Sequence, residues 1–149
     1  MAVKAERLTI VLNIAQAAEQ AVAVRLQEFR EFLTNEEAQL AQLDEYRQQY
    51  LDAYSNRRVN VGAQELVGYS QFILRMGELR TEQAKKVDSL RGQLAGYIQA
   101  WSQAHQKCKS LAELIERKRV ERSNLKEKQS QKLMDEFATQ GFLKNRNEI

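Results

Sequence analysis

Two side chains able to do covalent or metal chemistry stand one helical turn apart: His105 and Cys108, the single histidine and the single cysteine among 149 residues. At i and i+3 an imidazole could act as base to a thiol nucleophile. A metal site needs three or four ligands, and no second His or Cys is present to supply them. Neither a glycine-rich phosphate loop nor a paired-carboxylate constellation accompanies the pair. Cys108 also falls in an apolar repeat, where a small apolar side chain is the ordinary occupant. The expectation is therefore no enzyme, no cofactor and no metal.

Two other clusters point to binding. Tyr46, Tyr50 and Tyr54 recur every fourth residue, and Leu43 and Gln39 continue the stripe toward the N-terminus. Tyrosine joins an apolar ring to a polar tip, which suits either a core edge or a partner face, and the pattern alone leaves both open. Residues 117–132 carry seven basic and two acidic side chains, +5 in a chain whose net charge is +3. Such a segment is a solvated face, a basic helix inserted into a partner protein, or a nucleic-acid contact through phosphates. It has no interleaved aromatics and no recognised nucleic-acid fold signature, which weighs against the last.

The elements that hold these clusters are helices. The chain has no proline, six glycines, 29% charged and 7% aromatic residues. Sheets need turns built from Gly, Pro, Asn and Asp, and these are too scarce for a sandwich, a barrel or a βαβ domain. Between Arg7 and Tyr54 there is no glycine, and apolar residues keep a seven-residue repeat. Leu8, Ala15, Val22, Phe29, Glu36, Leu43 and Tyr50 take its a positions. Val11, Ala18, Arg25, Phe32, Gln39, Tyr46 and Ala53 take d, and Leu12, Leu26, Leu33 and Leu40 widen the stripe at e. Loop chemistry interrupts at Ser55–Gly62, and the repeat restarts at Leu66. Its a series is Leu66, Ile73, Arg80, Val87, Leu94, Trp101, Cys108 and Ile115; its d series is Tyr69, Met76, Gln83, Leu90, Tyr97, Ala104 and Leu111.

The predicted fold is all-α: one coiled-coil domain over 1–149, folded as a long antiparallel two-helix hairpin with an overhanging C-terminal helix. Helix 1 is expected over about 4–55, the turn over 56–63, helix 2 over 64–140, and a polar tail over 141–149 after a stop at Gly141. Setting Leu8 against Leu111 makes facing residue numbers add to 119 and centres the turn at Val59–Asn60. Val11 then faces Cys108, Ala18 faces Trp101, Val22 faces Tyr97 and Phe29 faces Leu90. The polar seam residues meet as Glu36 with Gln83 and Gln39 with Arg80. In this register Tyr46 and Tyr50 face Ile73 and Tyr69 in the core. The uncharged run Leu8–Ala18 is too short for a membrane span. It imitates a secretory leader, but its spacing continues unbroken into the helix, so the chain reads as cytosolic.

Leu43-Asp44-Glu45-Tyr46-Arg47-Gln48-Gln49-Tyr50, Tyr69-Ser70-Gln71-Phe72-Ile73 and Gln131-Lys132-Leu133-Met134-Asp135-Glu136-Phe137-Ala138, in that order, resemble the flagellar export protein family FliJ. The similarity covers nearly the whole length. It implies an antiparallel coiled coil akin to the central stalk of rotary ATPases, a non-enzymatic component of the flagellar type III export apparatus. The partners it implies are the export ATPase hexamer, the cytoplasmic domain of a membrane-embedded export gate protein, and export chaperones, with no nucleic acid. The implied place is the cytoplasm, peripheral to the inner membrane. Carried over by residue, gate contact maps to Gln39, Leu43, Tyr46, Tyr50, Phe72 and Met76, while Leu79 and Gln83 depart from the family pattern. With the terminal part entering the ATPase, Arg117, Arg119, Arg122, Leu125, Leu133, Met134 and Phe137 become the ATPase-binding residues. A gate role for Tyr46 and Tyr50 requires the seam to rotate near the tip, with Leu40, Leu51 and Tyr54 turning inward. Alternative readings are the stalk protein of a virulence type III secretion system, or a generic coiled-coil scaffold with nucleic-acid contacts through its basic segment.

Overall fold

The computed structural model describes residues 2–57 and 62–147. Two helices account for all of these but Gly62: α1, Ala2–Arg57, and α2, Ala63–Asn147. The predicted turn centre, Val59–Asn60, lies outside the described residues. Gly62 caps α2, its carbonyl accepting from the amides of Glu65 (3.1 Å) and Leu66 (3.2 Å). Glu65 in the first turn places a carboxylate where the helix dipole favours one. The predicted stop at Gly141 is not observed: α2 passes through it to Asn147, so the expected polar tail is helical up to that point. A glycine ends a helix by taking positive φ, and no glycine among the described residues does so.

The chain divides into two compact units, one of Met1–Ala17 with His105–Ile149 and another of Ala18–Ala104. In the unit of Ala18–Ala104 two helical segments pack along a seam. Its core is Phe29, Leu33, Val87 and Leu90, with Leu40, Leu94 and Tyr97 packed against it. Phe29 and Tyr97 stack at 4.5 Å and 21°. Partner numbers fall along α2 as they rise along α1: Phe29 meets Tyr97, Glu36 meets Gln83, Asp44 meets Arg80 and Tyr50 meets Phe72. That order is what antiparallel segments give. In the other unit Ala15 and Cys108 are buried, and Leu8, Leu12, Leu111 and Ile115 are half-buried.

The seam of α2 follows the predicted a and d series, and Tyr69, Ile73, Met76, Arg80, Gln83, Val87 and Leu90 are all buried or half-buried. On α1 the structure corrects the reading. The buried and half-buried stripe is Leu26, Phe29, Leu33, Glu36, Leu40 and Leu43, so a pairs with e rather than with d. Of the predicted d residues Ala53 is half-buried and the others are exposed: Phe32 by 44%, Tyr46 by 45%, and Val11, Ala18, Arg25 and Gln39 with them. At 100° per residue the change from d to e turns α1 by about 50°. The reason is in the side chains. The e series offers four leucines to the seam, whereas the d series offers Arg25 and Gln39. Exchanging d for e moves each partner by one turn, and observed pairs add to about 123 rather than 119. The Glu36–Gln83 meeting survives because Gln83 reaches back to Glu36; Arg80 instead finds Asp44, not Gln39. Leu40, Leu51 and Tyr54 do turn inward, each half-buried.

Glu36 is the one buried charged residue among those described, 6% exposed. Gln83 Nε2 donates to its carboxylate at 2.6 Å and to its backbone carbonyl at 3.0 Å, and Lys86 Nζ stands 3.3 Å away. A carboxylate in a coiled-coil seam is tolerable because it is fully partnered. The Gln83 hydrogen bond, then Lys86, hold its pKa below the ordinary 4.5, against the opposing effect of burial.

Candidate functional site

Cys108 is buried in the seam and His105 is exposed. No group of three or more His, Cys, Asp or Glu side chains among the described residues comes together to hold a metal.

The expected gate set splits by side-chain direction. Gln39, Tyr46, Tyr50 and Phe72 face outward, with Tyr46 45%, Tyr50 37% and Phe72 40% exposed. Leu43 is half-buried and Met76 is buried, so both brace the seam. The predicted facing of Tyr46 with Ile73 in the core is thereby corrected. Tyr50 packs against Phe72 with ring centroids 4.4 Å apart at 52°, a tilted pair that brings α1 and α2 into one aromatic patch. Beside it Arg80 Nε donates to Asp44 Oδ1 at 2.7 Å, which raises the Arg80 pKa. The Arg47 guanidinium lies over Gly77, about 3.7 Å from where a Cβ would stand. Leu79 is 43% exposed, and Gln83 is committed to Glu36. Leu74, 64% exposed near the same end, was not anticipated; neither the a nor the d series contains it, so the seam repeat gives no signal for it.

The expected ATPase set is likewise not uniform. Arg117 is exposed and Arg122 half-buried. Arg119 is tied to its own helix, donating to Glu116 through Nη2 at 2.8 Å and Nε at 3.1 Å. That pair lowers the Glu116 pKa and raises that of Arg119. Leu125, Leu133, Met134 and Phe137 are 53%, 63%, 71% and 79% exposed, and Phe142 and Leu143 beyond them are exposed as well. Leu133 and Phe137, four apart, share a face with Met134 at its flank. Every position from 123 to 146 is exposed.

Long helices zipped along a seven-residue seam, with an aromatic patch and an apolar row left outside it, define a coiled-coil protein. A family model described as Flagellar FliJ protein matches residues 4–147, nearly the whole chain, and the chain belongs to that family. No curated protein and no solved structure matches it significantly. Family membership makes it a coiled-coil protein related to flagellar export. No helix of the described residues is long and apolar enough to cross a membrane.

Proposed function

We propose that the chain is a non-enzymatic component of the flagellar type III export apparatus that binds the export ATPase ring as a stalk and touches the export gate and export chaperones. We read the far end of α2 as an arm that overhangs a hairpin, in keeping with 85 residues in α2 against 56 in α1. The observation that carries the reading is the row Leu133, Met134 and Phe137, at 63–79% exposure on a helix. Covering each such side chain yields roughly 1.5–3 kcal/mol, so a ring enclosing the helix gains most where the chain alone gains nothing. Arg117 and Arg122 steer the helix toward a carboxylate-lined cavity without sequence-specific hydrogen bonds. Arg119 contributes through the same field while anchored to Glu116. Gln39, Tyr46, Tyr50 and Phe72 form the gate-facing patch, with Leu43 and Met76 behind it. The place of action is the cytoplasm, at the inner membrane through the apparatus. The flagellar description of the family favours this organelle over a virulence system.

The test is co-purification with the export ATPase. Leu133→Asp, Met134→Asp and Phe137→Asp together, in the full chain, abolish binding and stimulation of hydrolysis while the melting temperature and gate binding hold. Reversing Arg117 and Arg122 to Glu weakens ATPase binding most at low salt. Full-strength binding by the triple variant refutes the stalk reading.

A further inference from the structure

In the unit of Met1–Ala17 and His105–Ile149 a groove of about 480 Å3 runs between the two helices. Lys4 and Ala5 of α1 form one wall, and Lys118, Arg122, Leu125 and Lys126 line the other. Four cations thus line the groove together with the apolar Ala5 and Leu125, Gln129 and a single carboxylate, Glu121. Among the described residues no ion pair engages any of the four, in contrast to Arg119, which Glu116 neutralises one turn away.

The groove lies where the seam of α2 changes character. Cys108 is buried, and Leu111 and Ile115 are half-buried. The next seam positions are Lys118, Arg122 and Leu125. Lys118, Arg122 and Lys126 stand four residues apart, a row along one helical face with the half-exposed Leu125 beside it. A ligand that completes this surface needs carboxylates repeating at one helical turn next to an apolar side chain. An acidic amphipathic helix has that spacing built in. A bilayer is met by cations on one flat face, whereas Lys4 stands on the opposite wall of the groove from Lys118, Arg122 and Lys126. Single-stranded nucleic acid uses stacking aromatics, and none lines it.

We propose that this groove docks an acidic amphipathic helix of a partner protein, its apolar residue on Leu125 and Ala5 and its carboxylates on Lys4, Lys118, Arg122 and Lys126. The proposal goes beyond the ATPase reading. It shares Arg122 and Leu125 with that reading, but Lys4, Lys118 and Lys126 are not assigned to the ring and the assay contains no ATPase, so each can fail alone.

The probe is a fluorescein-labelled peptide of about three heptads, Leu at a and d and Glu at e and g. Its control is the same composition scrambled to destroy the period. Fluorescence anisotropy with the full chain shows saturable binding of the periodic peptide and little of the scrambled one. Lys118→Glu with Lys126→Glu raises Kd about tenfold or more, and Lys107→Glu with Lys109→Glu, the same charge change outside the groove, moves it by less than about twofold. Circular dichroism melts confirm that both variants remain folded, as expected for exposed positions. Equal binding of the scrambled peptide, or equal loss in the Lys107/Lys109 variant, overturns the proposal in favour of unspecific charge. So does loss of duplex DNA binding or phosphatidylserine-vesicle binding, but not of peptide binding, on reversing Lys118 and Lys126.

Discussion

A single substitution, Ala15→Cys, tests the corrected register against the native Cys108. Both positions are buried, 6% and 7% exposed, and their numbers add to 123. Packed helix axes lie about 8–10 Å apart, and each Cα sits about 2.3 Å from its axis. Facing Cα atoms therefore approach to roughly 3.5–5.5 Å, which overlaps the range a disulfide spans. Closing a loop of roughly 90 residues removes about 4–5 kcal/mol of unfolded-state entropy, an upper figure because native strain subtracts from it. At roughly 3 °C per kcal/mol for a chain of this size, the oxidised variant melts on the order of 10 °C above its own reduced form. Comparing the two redox states of one variant cancels the small overpacking cost of Cys for Ala. The assay is mild oxidation, non-reducing electrophoresis and a thermal melt. A fast-migrating monomer band that vanishes with reductant is the expected outcome. Val11→Cys is the counter-test, because adding to 119 it faces Cys108 only in the register read from sequence. If Val11→Cys closes the loop and Ala15→Cys does not, the rotation of α1 is wrong. If Ala15→Cys links only pairs of chains, the hairpin itself is an intermolecular coiled coil.

Val87 is the most buried side chain among the described residues, 1% exposed. Val87→Ala removes two methyl groups and leaves a cavity, a loss of about 2–3 kcal/mol in urea unfolding. Tyr46→Ala and Tyr50→Ala cost far less stability than a core aromatic, because both rings are more than a third exposed; gate binding falls instead, read by co-purification with the gate's cytoplasmic domain. A double-mutant cycle between Tyr50 and Phe72 returns a coupling of about 0.5–1.5 kcal/mol from their 4.4 Å contact. The Glu36 pKa is depressed in the fold, so the stability it contributes is present above its ordinary 4.5 and is lost as pH falls through the lower folded value. Urea midpoints above and below pH 4.5 show that loss in the parent chain and a shallower one in Glu36→Gln.

The helices were legible because they rest on what a sequence states outright: no proline, few glycines, and a period of seven. The seam of α2 was legible for the same reason, since its a and d series are the apolar ones and no third series competes. On α1 three series compete. Leu8, Phe29 and Leu43 at a, Val11, Phe32 and Tyr46 at d, and Leu12, Leu26, Leu33 and Leu40 at e form one wide stripe, and a single helix gives no ground for choosing its centre. The choice is made by contact. Leu33 closes on Val87 and Leu90 in the buried cluster, and Phe29 stacks on Tyr97; these pairings are properties of two surfaces together. Matching large with small and polar with polar at 119 was consistent but not discriminating. Gln83 is long enough to reach Glu36 from one turn away, so the polar layer tolerates both registers. Gly141 misled for a related reason. It can stop a helix but does so only if the chain beyond supplies a reversed cap, and Phe142-Leu143-Lys144 continues as helix instead.

The same rotation decides what α1 can offer a partner. Four leucines drawn into the seam expel the d series, and that series carries Phe32, Gln39 and Tyr46 at seven-residue spacing along one outer face. Lys86 covers the first of these, its ammonium 5.8 Å from the Phe32 ring centre, so solvent and a cation share that end of the face. Toward the turn the rings have no such cover: Tyr46 is 45% exposed, and Tyr50 shares its surface with Phe72 of α2. Aromatic area at low rotamer cost, polar tips and a rigid helical spacing are what an interface core selects. The collision between a buried and a partner-facing Tyr46 was therefore a consequence of placing the seam one residue off. Once α1 turns by about 50°, the leucines of e pack the seam and most of the d series is left on the outer face.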